Sequence, residues 1–191
     1  MQKLSTALRL STLFALQFLV SVTLIGCKSY QLGSPTELPF QSIFVKPVTN
    51  DSFAPQAQTL LSSQIRDAII RDGRLKLVTS EDEADAVLLV NLTDYDRRAA
   101  SRNRNDTVIA RDFDLNLTAD VSLYNQNAGD YYFEDREIRE RSNAYTNNPY
   151  LDSAATDPQD FLQAEYNAMP RLTRDLARKI ADEILSPWEP K

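Results

Sequence analysis

Asp112-Phe113-Asp114-Leu115-Asn116-Leu117-Thr118-Ala119-Asp120-Val121-Ser122-Leu123 alternates polar and apolar residues without a slip. Successive side chains on a strand point to opposite faces. Phe113, Leu115, Leu117, Ala119, Val121 and Leu123 therefore share an apolar face, and the acids, amide and hydroxyls share a wet one. A strand divided in this way belongs to an antiparallel sheet that is covered on one side only. Whatever helices the chain possesses must pack against the face of Leu115 and Leu117.

Downstream, Asn127-Ala128-Gly129-Asp130 is hairpin-turn chemistry. Residues 131–141 return as a strand carrying Glu134, Asp135, Arg136, Glu137, Arg139, Glu140 and Arg141, the composition of a protected sheet edge. Upstream, residues 86–92 are almost continuously apolar, which fits a central strand buried on both faces. Residues 75–78 and 42–48 are two further strands. Pro47, lacking an N–H, ends the earlier one or confines it to an edge. Between residues 78 and 86, Ser80-Glu81-Asp82-Glu83-Ala84 lacks the glycine and closing glutamate of a calcium loop, and its reading is a solvated single turn capped by Ser80.

The first helix follows Thr49-Asn50-Asp51-Ser52, a turn and cap sequence, and starts at Pro55. Ala57, Leu60, Leu61, Ile65, Ala68 and Ile69 recur at three- and four-residue spacing, and Gly73 supplies the stop. Residues 142–156 are a long Asn-, Tyr- and Ser-rich loop. Asp157-Pro158-Gln159-Asp160 then opens a second helix, with Met169, Leu172, Leu176, Ile180 and Ile184 as its inner stripe. Pro170 should kink or divide this helix near Met169, and Pro187 should end it. The order β-α-β-β-β-β-α predicts an α+β fold: a four- to five-stranded mixed, mostly antiparallel sheet with two helices packed on one face. One parallel pair with a right-handed crossover is expected around the first helix.

Ahead of this domain, Lys3 and Arg9 precede an apolar run over residues 13–25 and then Gly26-Cys27. The leader is a secretory signal by composition. Leu24-Ile25-Gly26-Cys27 reads as a bacterial lipobox, in which the Cys27 thiol takes a diacylglycerol and becomes the first mature residue. Residues 1–26 are then a removed signal peptide, 27–40 a lipidated anchor and linker, and 41–191 a single domain. Two or three acyl chains, at roughly 0.8 kcal/mol per buried methylene, hold a protein durably on a bilayer. Lys28 is not the aspartate that retains many enteric lipoproteins at the inner membrane. The expected location is therefore the outer membrane, on the periplasmic side.

Composition narrows the chemistry. The chain has 191 residues, one cysteine, no histidine and a net charge of −6. Without Lys3 and Arg9 it retains 19 basic against 27 acidic residues. A net-acidic protein has no general attraction for nucleic acid, whose binding displaces counterions with basic residues. The commonest general base is absent, and acylated Cys27 leaves no thiol, so Ser-His-Asp and Cys-His machinery are excluded. No metal, cofactor or enzymatic activity is expected beyond the lipid on Cys27. Asp112 and Asp114 are read as the wet face of a sheet rather than as a catalytic pair.

The one basic concentration is Arg97, Arg98, Arg102, Arg104 and Arg111, around the connection into the alternating strand, with residues 101–105 as the hairpin tip. Guanidinium forks suit phosphate and carboxylate, so the group is a candidate for anionic lipid or lipopolysaccharide. The alternative is a solvated tip paired with Asp94, Asp96, Asp106 and Asp112. Tyr131, Tyr132, Phe133, Tyr145 and Tyr150 pack the core and loop or form a partner surface.

Several stretches carry a family resemblance. Cys27-Lys28-Ser29-Tyr30-Gln31-Leu32-Gly33 resembles the lipidated start of the lipopolysaccharide-assembly lipoprotein family LptE, with Lys28-Ser29 where that family usually has glycine before the tyrosine. The strand over residues 43–48 with its Asn50-Asp51-Ser52 turn, the helix end Arg71-Asp72-Gly73, the opening Ala84-Asp85-Ala86-Val87-Leu88 and the placement of Arg111 and Phe113 resemble it in order. The resemblance implies a sheet with two helices on one side, residence inside the large outer-membrane β-barrel (LptD-like) that inserts lipopolysaccharide, and contact of basic residues with lipopolysaccharide phosphates. Arg97, Arg98, Arg102 and Arg104 are the candidates chosen here by charge and hairpin position. A different reading is a lipoprotein that activates or scaffolds a cell-wall synthase or secretion complex. The tether of about 13 residues, at most ~45 Å extended, favours a partner at the same membrane.

Overall fold

The computed structural model describes residues 38–102, 110–146 and 161–185. Its elements are β1 (Ser42–Val45), β2 (Thr49–Asn50), α1 (Pro55–Asp72), β3 (Lys76–Leu77), a short 3₁₀ turn (Glu81–Glu83), β4 (Ala86–Arg102), β5 (Ala110–Asn125), β6 (Asp130–Tyr145) and α2 (Phe161–Leu185). The main sheet path runs β3-β1-β4-β5-β6, with β2 also pairing to β4. β4, β5 and β6 form an antiparallel meander, while β1 is parallel to both β3 and β4. The mixed α+β architecture expected from the alternation is thus observed. Six strands are present because the chain resumes pairing after Pro47, Thr49 lying opposite Asn91 and Asn50 opposite Leu92. There are three parallel pairings instead of one, because β1 lies between β3 and β4 and β2 adds its own pairing to β4.

The break at Pro47 is served by α1. Its core stripe, Ala57, Leu61, Ile65 and Ile69, is fully buried. Beside that stripe, Gln58, Ser62 and Arg66 recur every four residues and all reach the chain around Pro47. Gln58 Nε2 donates to the Val48 carbonyl (2.8 Å), Ser62 Oγ accepts from the Val48 N–H (3.0 Å), and Arg66 Nη2 donates to the Val45 carbonyl (2.8 Å). Backbone groups that lose a ladder partner must find another when buried, and one helix face supplies three. Ala54, whose side chain offers no cap, occupies the N-cap position before Pro55. The Asn50-Asp51-Ser52 stretch instead folds on itself, Asn50 Oδ1 accepting from Ser52 N (3.0 Å) and Ser52 Oγ (2.7 Å). Gly73, at φ 78°, ends the helix in the left-handed conformation, its N–H donating to the Ile69 carbonyl.

The core lies between the helices and one sheet face. Leu88, Leu92, Leu115, Leu117 and Leu123 from the sheet meet Met169, Leu172, Leu176, Ile180 and Ile184 from α2, all essentially inaccessible. Each such side chain contributes about 1.5–3 kcal/mol on burial. The reverse face of β4 is covered without a helix. Val87 packs there with Val78 and Ala84, flanked by Phe44, Leu89 and Tyr124. The wet face of β5 is drier than simple alternation implies, because Thr118 is buried between its cross-strand partners Asp94 and Arg139.

Three sequence expectations need correction. Residues 142–145 are not loop but continue β6, Asp112 pairing with Tyr145 and Phe113 with Ala144. The helix α2 is not divided at Pro170 but extends from Phe161 to Leu185 with the proline inside it. Its partners there are Thr173 Oγ1, which donates to the Met169 carbonyl (2.9 Å), and Gln64 Nε2 of α1, which donates to the Pro170 carbonyl (3.0 Å). Ser80 precedes the 3₁₀ turn but makes no side-chain cap. Among the described residues no helix is long and apolar enough to cross a membrane. Cys27, residues 147–156, the Asp157-to-Asp160 cap and Pro187 lie outside the described residues.

Candidate functional site

Of the expected arginine cluster, Arg97 and Arg98 lie in the outer half of β4, where Arg97 reaches the start of α2. A bulge at Thr93 sets the outcome for these two members. The register passes from Leu92 opposite Ala119 to Asp94 opposite Thr118, so Tyr95 and Arg97 face the helices while Asp96 and Arg98 face away. Adjacent arginines consequently work on opposite sides of the sheet.

On the helix side, Glu165 of α2 is 6% exposed and is held by two groups of β4. The Tyr95 hydroxyl donates to Glu165 Oε1 at 2.6 Å, and Arg97 Nη1 lies 3.3 Å from Oε2. The Arg97 guanidinium sits 5.9 Å from the Tyr95 ring centre and 5.8 Å from that of Phe161. Phe161 in turn packs on Phe113 with ring centres 4.2 Å apart. Burial, then the bond to Glu165, raises the Tyr95 hydroxyl far above its ordinary range and keeps it a donor. This network fastens the first turns of α2 to the sheet, and Arg97 serves it. Glu165 falls on the apolar stripe four residues before Met169, so an acid at an inward position was the sequence signal for it.

On the open side, Arg98 Nε lies 2.5 Å from Asp96 Oδ2 and its side chain is 77% exposed. Arg141 Nη2 is 2.7 Å from Asp114 Oδ2, and Asn143 Nδ2 donates to Asp114 Oδ1 at 3.0 Å. Arg98 and Asp114 are cross-strand partners, so acid and base alternate over this surface. Asp114 is therefore an ion-pair member, as the wet-face reading requires. Exposed pairs of this kind contribute about 0–1 kcal/mol, which leaves Arg98 and Arg141 free to exchange partners with an anion. Arg102 pairs with Ala110 at the hairpin neck. Its side chain, that of Arg111, and Arg104 altogether lie outside the described residues.

A small cavity of about 240 Å³ lies between the end of β6 and α2, with an alanine floor and Tyr145, Asn167 and Arg171 at its rim. Arg171 donates to Ser142 Oγ (2.8 Å) and to the Asn143 carbonyl (2.8 Å), holding this part of β6 against the helix. Farther along, Lys179 pairs with Glu140 and Arg136 with Glu183. Of the aromatics considered, Phe133 is buried, Tyr132 meets Phe40, Tyr131 meets Tyr124 on the open face, Tyr145 is 44% exposed, and Tyr150 lies outside the described residues. Among the described residues no cluster of three or more His, Cys, Asp or Glu has the arrangement of a metal site.

The family model for LptE, lipopolysaccharide-assembly, matches residues 40–184. The chain belongs to the LptE family. That assignment covers the sheet, both helices and the hairpin end just described. Among curated proteins, none matches the sequence. A Xanthomonas campestris protein of known structure has 11% identity and a TM-score of 0.50, with 80% of this chain and 88% of that chain covered. It reports a shared fold. Lower scores are found for lipoprotein B of Nitrosomonas europaea (19% identity, TM-score 0.46, 82% and 88% covered) and a minor lipoprotein of Acinetobacter baumannii (17%, 0.48, 78% and 92%).

Proposed function

We propose that this LptE-family chain is a non-catalytic subunit of the lipopolysaccharide-assembly machinery, carried on the periplasmic side of the outer membrane by lipidated Cys27. It acts there as plug and assembly partner of a large β-barrel. The observation that carries this reading is the family match across residues 40–184. The long three-stranded meander, with an exposed, charge-alternating face, is a surface suited to lie against the polar wall of a barrel lumen. At its end the solvent-facing Arg98, together with Arg102 and Arg104 of the hairpin, contacts lipopolysaccharide phosphates. Arg97 contributes by holding the end in shape through Glu165.

Photo-crosslinking from Arg102 in intact membranes tests the reading, with a large barrel protein as the expected product. Recovery of no barrel would overturn the partnership. Charge reversal at Arg102 and Arg104 should weaken lipopolysaccharide binding, and unchanged binding at low salt would remove these residues from the site while leaving the partnership standing.

A further inference from the structure

The helix side of the molecule carries a second arginine group that the hairpin reading does not use. The helices α1 and α2 run in the same direction, as Gln64 bonding to Pro170 and Arg74 Nη1 bonding to the Leu185 carbonyl (3.2 Å) require. Between them lies a cleft of about 530 Å³ lined by Gln64, Asp67 and Arg71 of α1 and by Arg174 and Arg178 of α2. Asp67 and Arg71 are one helical turn apart, as are Arg174 and Arg178, so each pair stands on one face of its helix.

The state of these side chains is unusual for this molecule. Arg66, Arg74, Arg97, Arg98, Arg136, Arg139, Arg141, Arg171 and Arg178 each have a carboxylate, hydroxyl or carbonyl partner. Arg71 and Arg174 have no hydrogen bond or ion pair among the described residues, and both line this cleft. Gln64 also lines the cleft, and its Oε1 is a solvent-inaccessible acceptor with no donor among the described residues. The lining sets three guanidinium groups against one carboxylate, on a chain whose net charge is −6. Nothing in a generally acidic surface calls for unpaired cations at one place, and a buried amide oxygen is costly to leave unbonded.

We propose that the cleft is an anion site that takes a phosphate group. A guanidinium fork matches two phosphate oxygens at once, and Arg71 and Arg174 approach from opposite walls, so one phosphate can accept from both. Asp67 at the rim disfavours a doubly ionised group and favours a singly charged one, a diester or a monoester that keeps one proton. This site is separate from the hairpin end and stands or falls independently of the lipopolysaccharide reading.

The test uses the full-length chain in non-ionic detergent, with arginine Nε–H resonances followed by NMR during titration with inorganic phosphate and, separately, with dihexanoyl phosphatidic acid. Expected are saturable shifts of the Arg71 and Arg174 resonances. Affinity should fall by roughly tenfold or more in Arg71→Gln/Arg174→Gln, and by a few-fold in Arg174→Lys, which keeps the charge but loses the fork. Arg139→Gln removes one charge from the open sheet face, as Arg174→Gln alone does at the cleft, and should leave binding unchanged. Tighter binding of the phosphatidic acid identifies a lipid head group as the source, and equal or tighter binding of phosphate identifies the free anion. Absence of saturable shifts with both probes at millimolar concentration overturns the proposal. So does an equal loss in Arg139→Gln, which would make the effect one of net charge.

Discussion

Asp85 offers the sharpest test of how the fold is held at its start. It sits just before β4, yet its carboxylate binds the beginning of β1, more than forty residues away. Oδ2 accepts from Gln41 N (3.1 Å), Ser42 N (2.9 Å) and Ser42 Oγ (2.8 Å), while Oδ1 accepts from Asn127 Nδ2 (3.2 Å). Ser42 Oγ returns the bond by accepting from Asp85 N (2.9 Å). The hydroxyl of Ser42 and the N–H groups of Gln41 and Ser42 lower the carboxyl from 3.8 to about 2. That difference corresponds to about 2 kcal/mol of preference for the ionised form, and partial exposure reduces the realised share to about 1 kcal/mol. Because the folded value lies below the ordinary one, this stability is complete above pH 4 and lost as pH falls toward 2. Asp85→Asn should cost about 1 kcal/mol at neutral pH by losing the charge-assisted part. Asp85→Ala should cost about 2–3 kcal/mol, since two backbone donors are left without partners. Urea unfolding at a series of pH values measures both effects, and the Asp85→Asn protein should lack the acid-dependent fall between pH 4 and 2. Superimposable pH profiles for the two proteins would refute the reasoning, as would an Asp85→Ala cost below about 0.5 kcal/mol.

Other outcomes follow from the packing. Glu165→Ala should cost about 1–3 kcal/mol, because it strands the buried Tyr95 hydroxyl and takes the partner from the half-exposed Arg97; Glu165→Gln, which still accepts from Tyr95, should cost less, and hydrogen exchange in residues 95–99 should rise in the same order. Leu172→Ala and Leu115→Ala, at fully buried positions on facing layers, should each cost about 2–5 kcal/mol in chemical denaturation. Pro170→Ala should raise stability by about 1 kcal/mol, since restoring the helical N–H outweighs the lost rigidity of the unfolded chain. A melting temperature that drops in Pro170→Ala would show that the proline is needed for how α2 meets α1.

Much of the architecture was legible from periodicity. The stripe of α1, the stripe of α2 and the alternation of β5 each expose one apolar face, and three such faces have one common solution. What the sequence did not reveal depends on contacts between distant residues. Whether residues 142–145 extend β6 is decided by Arg171 on another element and by the free register of Asp112 and Phe113. That α2 continues through Pro170, where the neighbouring helix contributes a bond from Gln64 to the Pro170 carbonyl, is announced by no local pattern. The arginine cluster was legible as charge, but an inserted residue at Thr93 determines which faces Arg97 and Arg98 take. Bulges of that kind leave little mark in composition.

β1 also has a mechanical meaning. It is hemmed on both sides by parallel partners, β3 and β4, and it is the first strand after residue 38. Tension delivered along its axis from the N-terminal side must slide both ladders at once, with the Asp85–Ser42 clasp in series, instead of unzipping bonds one by one. A domain built this way resists being drawn out by its leading end, and under force that end should be among its stiffest points.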